Sequence, residues 1–427
     1  MTCEAQRQAG GAGGGVATSG APVPDWFKVN HLIVLVGGNP LPNYLAIKTL
    51  LAEGGKVYPL YTATSAAVAA QLLKVSTGSP LRNNKIAGMN SVDIVVATHA
   101  ILKVARGGLV GLHYTGGTKR MAVHAYRAVT EAQCATPKLP LTYLDARGDM
   151  LYAHDAALTL CHAWRPDVAV PGLDTLLALH GRALNARDRP IEQPQLPALV
   201  EALRIVHADR EAQDAWGRLL YGPERRDDAQ LWRSTIHLSR LRQELERVGV
   251  LAPNDNVLRP AALQPALGVK DPMKWLRGQW LESAVLAALR DANERYGLRL
   301  DTMLANVHVL LQANQSPDFE LDVVALRGHA VYALSCKTGG DGADLSRTKL
   351  RLALAEARVR ARQIGGDEAR VGLVCCADEP ADLEDELRSD FDVLNDGGNA
   401  RLIVFGRDAL ERLPDRLGQW IGAEGRA

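Results

Sequence analysis

GLVGLHYTGGTKRMAVHAYRAVTEAQ, residues 108 to 133, runs from an apolar β-rich segment through two glycines into a segment with helical spacing. That order, strand then glycine turn then helix, is half of a strand–helix–strand unit and predicts a parallel sheet covered by helices. The same alternation extends on both sides. HLIVLVG (31–37) is an apolar strand closed by Gly37-Gly38, and NYLAIKTLLAEGG (43–55) has helical spacing before a glycine stop. KVYPLYT (56–62) and SVDIVVATH (91–99) are expected as strands, SAAVAAQLLKVS (65–76) as a helix, and LPLTYLDA (139–146) as a further strand. Together they predict a Rossmann-like, doubly wound α/β domain over 27–165. The 26 residues before it are rich in Gly and Ala, poor in large apolar side chains, and expected to form a disordered tail.

Residues 166–270 are expected to be a mainly helical connecting segment, with helices at 198–222 and 229–250 separated by proline-rich breaks. The second helix, with Arg233, Arg240, Arg242 and Arg247 followed by LAPNDNVLRP, has the outline of a winged helix; Glu244 and Glu246 favour a solvated face instead. From 271 to 427 a second α/β domain is expected. Its helix at 274–297 precedes strands at 303–312, 319–328 and 329–338, the last two paired as a hairpin around Arg327-Gly328-His329. A helix at 346–366, strands at 369–377 and 400–406 and a helix at 407–421 complete it. Trp275 and Trp280 at helical spacing, and Cys375-Cys376 closing a strand, are core candidates.

The 427 residues carry 49 Lys and Arg against 48 Asp and Glu, so any site for a polyanion must be local. Six cysteines without C-x-x-C spacing argue against a zinc site and for a reduced, cytoplasmic chain. No apolar run has membrane-spanning length.

Two places carry chemistry. In Tyr114-Thr115-Gly116-Gly117-Thr118-Lys119 the glycines permit positive φ and close backbone approach. The helix N-terminus that follows favours an anion, Lys119 adds a charge and the threonines add hydroxyls. Counted from Gly111, the lysine falls two places late for a Walker A loop. Gly37-Gly38-Asn39-Pro40 makes a second loop at the same end of the sheet, where open α/β sheets bind ligands. His113 stands beside the loop as a further contact candidate. The second place is the hairpin. Period-two geometry puts Glu320 with Asp322 on one face and Ser335 with Lys337 on one face, leaving Leu321, Val323, Leu334 and Cys336 for the packed side. Such a polar strand end is either a solvated hairpin or an oxygen-ligand site for Mg²⁺ or Mn²⁺ beside a phosphodiester. Arg358, Arg360 and Arg362 give the following helix a basic edge.

YTGGTKRM is similar to the (N/Y)-x-T-GGTK-M signature of CARF domains, the cyclic-oligoadenylate sensors of type III CRISPR systems, and LVGGNPLPNYLAI resembles that family's first loop and helix. The resemblance implies that Gly38, Asn39, Thr115, Gly116, Gly117, Thr118 and Lys119 hold a nucleotide ring across a homodimer. The hairpin with its flanking helices resembles the PD-(D/E)xK nuclease core. Glu282 in GQWLES takes the place of that family's first-helix acid, Asp322 that of the strand acid, and Lys337 that of the lysine. Ser335 stands where the family has an acid. The resemblance implies a restriction-endonuclease-like domain with Asp322 and Glu282 on a Mn²⁺ or Mg²⁺ ion, Ser335 as a weak support and Lys337 acting on the attacking water. Taken together, the two resemblances imply a cyclic-tetra-adenylate-activated nuclease cutting DNA or single-stranded RNA. A nuclease fold that binds nucleic acid without cutting is the alternative.

Overall fold

The computed structural model describes residues 23, 25–78, 85–86, 90–105, 107–133, 140–145, 150–154, 160–164, 171–221, 228–339, 346–366, 369–390 and 401–422. The tail expected over 1–26 lies almost wholly outside them, as do Cys3 and Cys134. The chain divides near residue 182 into two compact units, where the sequence placed boundaries near 165 and 270.

The first unit is built on a sheet of order β2-β1-β3-β4-β5-β6. Its strands are β1 (Val29–Leu35), β2 (Leu51–Leu60), β3 (Val110–His113), β4 (Leu141–Asp145), β5 (Met150–His154) and β6 (Leu160–Trp164). The pairs β1–β2, β1–β3 and β3–β4 are parallel, while β5 and β6 add on antiparallel. Helices α1 (Leu41–Leu50), α2 (Ala66–Thr77), α3 (Ser91–Val104) and α4 (Lys119–Gln133) accompany it. The chain leaves β1 for β2 on one side and β3 for β4 on the other. Right-handed crossovers in opposite directions place α1 and α4 on opposite faces and open a crevice at the carboxyl ends of β1 and β3. Both glycine loops end at that crevice.

Two expectations fail here. Residues 91–99 are not a strand but the start of α3. Asn90 caps this helix, its side chain accepting from the Asp93 N–H at 2.8 Å. Ile94, Thr98 and Ile101 face the core with Met121 and Val129 of α4, while Val92, Val96 and Val104 lie exposed. Apolar residues on both helix faces had produced a strand-like run. The helix expected over 43–55 stops at Leu50, and β2 already begins at Leu51, its pairing with β1 shifting between Val29 and His31.

The second unit has a sheet of order β12-β11-β10-β9-β8-β7. Its strands are β7 (Arg182–Leu184), β8 (Thr302–Leu311), β9 (Pro317–Arg327), β10 (Ala330–Lys337), β11 (Arg370–Cys375) and β12 (Leu402–Phe405). β8, β9 and β10 form an antiparallel meander, and β11 and β12 continue parallel to β10. Gly328 turns the β9–β10 hairpin at φ 58°, a conformation open to glycine. Its helices include α5 (Pro197–Ala208), α6 (Arg210–Tyr221), α7 (Ile236–Arg247), α8 (Trp280–Tyr296), α9 (Arg347–Gly365) and α10 (Leu413–Gly422). α5 to α8 and α10 share one apolar core with the sheet, in which Trp216, Trp232 and Trp280 are fully buried. From Ala183 onward the stretch expected to be a connector is therefore part of this unit. The winged helix is not formed, since residues 251–271 contain only short helical turns and no strand. Arg242 is held by Glu246, Asn256 and the Asp255 carbonyl, and Arg247 by Glu244.

Candidate active site and ligand loops

The loops of the first unit interlock through missing side chains. A Cβ on Gly116 would collide with the Leu35 carbonyl oxygen, and one on Gly37 would come 3.0 Å from the Gly117 nitrogen. Gly117 has φ 75°. Beneath them Asn43, fully buried in α1, donates from Nδ2 to the Leu35 carbonyl at 2.8 Å and ties the first helix to the end of β1. Asn39 Oδ1 accepts from the Leu41 N–H at 3.1 Å, and Thr118 Oγ1 accepts from the Met121 N–H at 3.2 Å, so each loop caps its own helix. Thr115 Oγ1 accepts from the Leu144 N–H. The expected residues Gly38, Asn39, Thr115, Gly116, Gly117, Thr118 and Lys119 thus gather in the crevice, with Gly38, Thr118 and Lys119 exposed. His113 does not join them. It is fully buried, 3.1 Å from Thr142 Oγ1, and burial pulls its pKa down to about 3, so it is a neutral core group. Tyr114 packs against Tyr126 and Tyr143, and burial followed by those phenols pushes its pKa up to about 12.

In the second unit the hairpin register sets Leu334 opposite Val323, and therefore Ser335 opposite Asp322. Asp322 Oδ2 is the hub of the site. It accepts from Ser335 Oγ at 3.0 Å, from the Cys336 N–H at 2.7 Å and from Lys337 Nζ at 3.3 Å. Leu321, Val323 and Leu334 point into the core as the alternation predicted. Glu320, Asp322, Ser335, Lys337, Glu356 and Arg360 line a small cleft between the hairpin and α9. Arg360 bonds the Glu320 carbonyl at 3.0 Å and Glu356 at 3.3 Å, so this arginine of the basic edge is committed within the site.

Glu282 reaches the same cluster from α8. Burial first, then the charges of Asp322 and Glu320, push its pKa up to about 8 against the opposing pull of Lys337 and Lys274. The Cys336 thiol is raised by burial and by the carboxylates of Asp322 and Glu282, which disfavours its thiolate. Among the described residues no group of three or more His, Cys, Asp or Glu side chains is gathered for a metal. The donors present are nevertheless of the right kind: two mutually repelling carboxylates and a hydroxyl are hard oxygen donors short of positive charge. Mg²⁺ is commonly held by one or two carboxylates with the rest supplied by water and substrate phosphate, so the residues fit such an ion.

Sequence reasoning missed Asn43 and the helix entry before Glu282, and read Arg360 only as part of a basic edge, not as a partner of Glu320 and Glu356. Trp275–Gln279 is a π-helical turn leading into α8. Asn43 had one legible signal, a short amide inside an otherwise apolar helix.

The sequence matches no known family profile and no curated protein. Solved structures do match. Protein VC1899 from Vibrio cholerae superposes at TM-score 0.64 with 18% identity, over 92% of this chain and 98% of its own. Can2 from Sulfobacillus thermosulfidooxidans, solved in complex with cyclic tetra-adenylate, superposes at TM-score 0.63 with 16% identity, over 92% of this chain and 99% of its own. The chain has their fold. That fold is α/β in both units, Rossmann-like in the first and built on a mixed sheet in the second, the class expected from the sequence. A third structure, of a type III CRISPR defence DNA nuclease activated by cyclic oligoadenylate, matches at TM-score 0.48 with 20% identity, over 85% of this chain and 47% of its own. No helix among the described residues is long and apolar enough to cross a membrane.

Proposed function

We propose that the protein is a nuclease of type III CRISPR defence, switched on by a cyclic oligoadenylate, with cyclic tetra-adenylate the first ring to test. The observation that carries this reading is the Asp322 hub with Ser335, Lys337 and the buried Glu282, on the unit that follows a GGTK crevice. Can2, whose fold the chain follows over nearly its whole length, binds cyclic tetra-adenylate, which supports that ring as the ligand. The ring's phosphates would meet the loop N–H groups and the free end of α4, with Lys119 adding charge. Such a ring has two-fold symmetry and suits a homodimer. Val92, Val96 and Val104 on α3 and Val123 on α4, each more than 60% exposed, offer a second copy an apolar face. The ring can activate only by binding the active state more tightly than the resting one.

In the second unit Asp322 and Glu282 would hold Mn²⁺ or Mg²⁺. When bound, such an ion supplies Lewis-acid stabilisation and a more acidic water. Lys337 orients the attacking water or a non-bridging phosphate oxygen, and Asp322 fixes Lys337 in reach. Ser335 holds the Asp322 carboxylate in one orientation. DNA and single-stranded RNA are both candidate substrates. The test incubates purified protein with plasmid and with single-stranded DNA and RNA, with and without Mn²⁺ and cyclic tetra-adenylate. Cleavage that requires both additions is expected.

A second reading has its own observation. Ser335 occupies the place of an acid, and its hydroxyl is spent on Asp322. A site so depleted would bind nucleic acid on ring binding without cutting it. Ring-dependent retention of labelled nucleic acid with no product under any metal would favour that reading.

A further inference from the structure

We propose that the second unit holds one nucleotide of the substrate strand in a separate cavity beside the Asp322–Lys337 cluster. The inference rests on the nuclease reading for its biological sense, though the cavity stands on its own geometry. The cavity has a volume of about 550 Å³, within the range of small-molecule sites. Its walls come from α6 (Gln213, Trp216, Tyr221), the π turn (Arg277), the end of β10 (Thr338) and Arg407. Thr338 directly follows Lys337, so the cavity begins one Cα step, about 3.8 Å, from the lysine backbone.

The charges in this cavity are unequal. Arg407 is consumed by Asp378, the His207 and Cys376 carbonyls and Gln213 Oε1. Arg210 pairs with Asp378, and Arg347 with Asp382 and Glu386. Arg277 has no carboxylate partner among the described residues. Its guanidinium lies 5.0 Å over the Tyr221 ring, and its Nε is buried without a hydrogen-bond partner. The Trp216 indole Nε1, in the same wall, is also buried without one. Unpaired buried donors are rare and call for an acceptor. Asp214 and Glu379 stand on the exposed rim, where solvent screens them. A cation stacked on a phenol beside an unpaired indole N–H suits an anionic phosphate joined to a flat polar ring, which is the chemistry of a nucleotide.

The backbone ties this cavity to the catalytic cluster. The Arg277 carbonyl accepts from Thr338 Oγ1 at 3.0 Å, and a Cβ on Gly278 would come 2.8 Å from that oxygen. The π turn is an uncommon backbone form that recurs at functional sites. It carries Arg277 to the cavity, and five residues later the same helix carries Glu282 to Asp322. A nucleotide held by Arg277 therefore lies next to the phosphodiester presented to Lys337.

The test is ¹⁹F NMR of full-length protein labelled with 5-fluorotryptophan, in EDTA so that nothing is cut. Of the seven tryptophan resonances, the one lost in Trp216→Phe is assigned to Trp216. Titration with thymidine 3′,5′-bisphosphate should shift that resonance saturably. Arg277→Gln should raise the half-saturating concentration about tenfold, and Arg277→Lys should restore part of it. In cleavage assays Arg277→Gln should also raise KM for an oligonucleotide. An unmoved Trp216 resonance, an equal shift in Arg277→Gln, or an equal shift from inorganic phosphate alone would each overturn the proposal. If the resonance shifts while the wild type cuts nothing, the cavity stands and the nuclease reading falls; cleavage without the shift has the opposite meaning.

Discussion

The two candidate sites of this chain are built by opposite means. The crevice in the first unit is made of backbone and small neutral side chains with a single lysine, Lys119, and its shape depends on atoms that glycine lacks. The cleft in the second unit is made of charge. Its carboxylates are crowded enough that burial and repulsion hold Glu282 near pKa 8. A site defined by shape is vulnerable to added atoms, whereas one defined by charge is vulnerable to lost or neutralised groups. That difference predicts which substitutions act, and how.

The largest effect is expected at Lys337. Lys337→Ala should lower cleavage by about a thousandfold or more while ring affinity stays unchanged, because the role proposed for the lysine is confined to the charge that develops in cleavage. Equal cleavage by variant and wild type would remove Lys337 from the site. Gly116→Ala is the complementary change. Its methyl group would force the loop away from the Leu35 carbonyl, and ring affinity measured by calorimetry should fall about a hundredfold. An Ala variant that bound the ring normally would show that the crevice is not read by close approach.

Glu282→Gln probes the stored repulsion. Between its ordinary value of 4.5 and about 8, the folded protein keeps a proton on Glu282 that the unfolded chain has released. Native stability therefore falls as pH rises through that window, and the loss is complete above it. In metal-free buffer at pH 8, Glu282→Gln should be more stable than wild type by an order of 1–3 kcal/mol in urea denaturation, with no difference at pH 4. Mn²⁺ should narrow the gap by stabilising only the wild type. A variant less stable at pH 8 would mean that Glu282 is not held under repulsion. Ser335→Asp is the finest of these tests. It places a third carboxylate opposite Asp322, so the half-saturating Mn²⁺ for cleavage should fall about tenfold while metal-free stability drops. Unchanged metal dependence would show that position 335 does not face the ion.

Much of this arrangement was legible in the chain before folding. Alternation along 319–323 told which side chains face the core, because period two is local geometry. The GGTK loop stood out because threonines and a lysine flank the glycine pair and match the CARF signature; the pair alone fits an ordinary strand–helix turn. Residues 91–99 misled because β-branched side chains were read as a strand, when Val92 and Val96 simply occupy the outer face of a capped helix. Asn43 and Arg360 gave little warning, since the Leu35 and Glu320 carbonyls they hold lie on other elements.

Local order therefore came from the sequence alone: the alternation of elements, the hairpin, the two loops and the identity of the groups able to bind a phosphate or a cation. Tertiary structure decided which of those groups meet. Asp322 became a hub only through strand register, which brings Ser335 and Lys337 to one oxygen. Glu282 acquired its raised pKa only through burial beside charges contributed by other elements. Arg277 was left without a carboxylate partner only because Asp378 pairs with Arg210 and Arg407 while Asp214 and Glu379 stay on the exposed rim. Propensity and periodicity act between near neighbours in the chain, whereas electrostatics and steric exclusion act between neighbours in space, and only folding makes those neighbours.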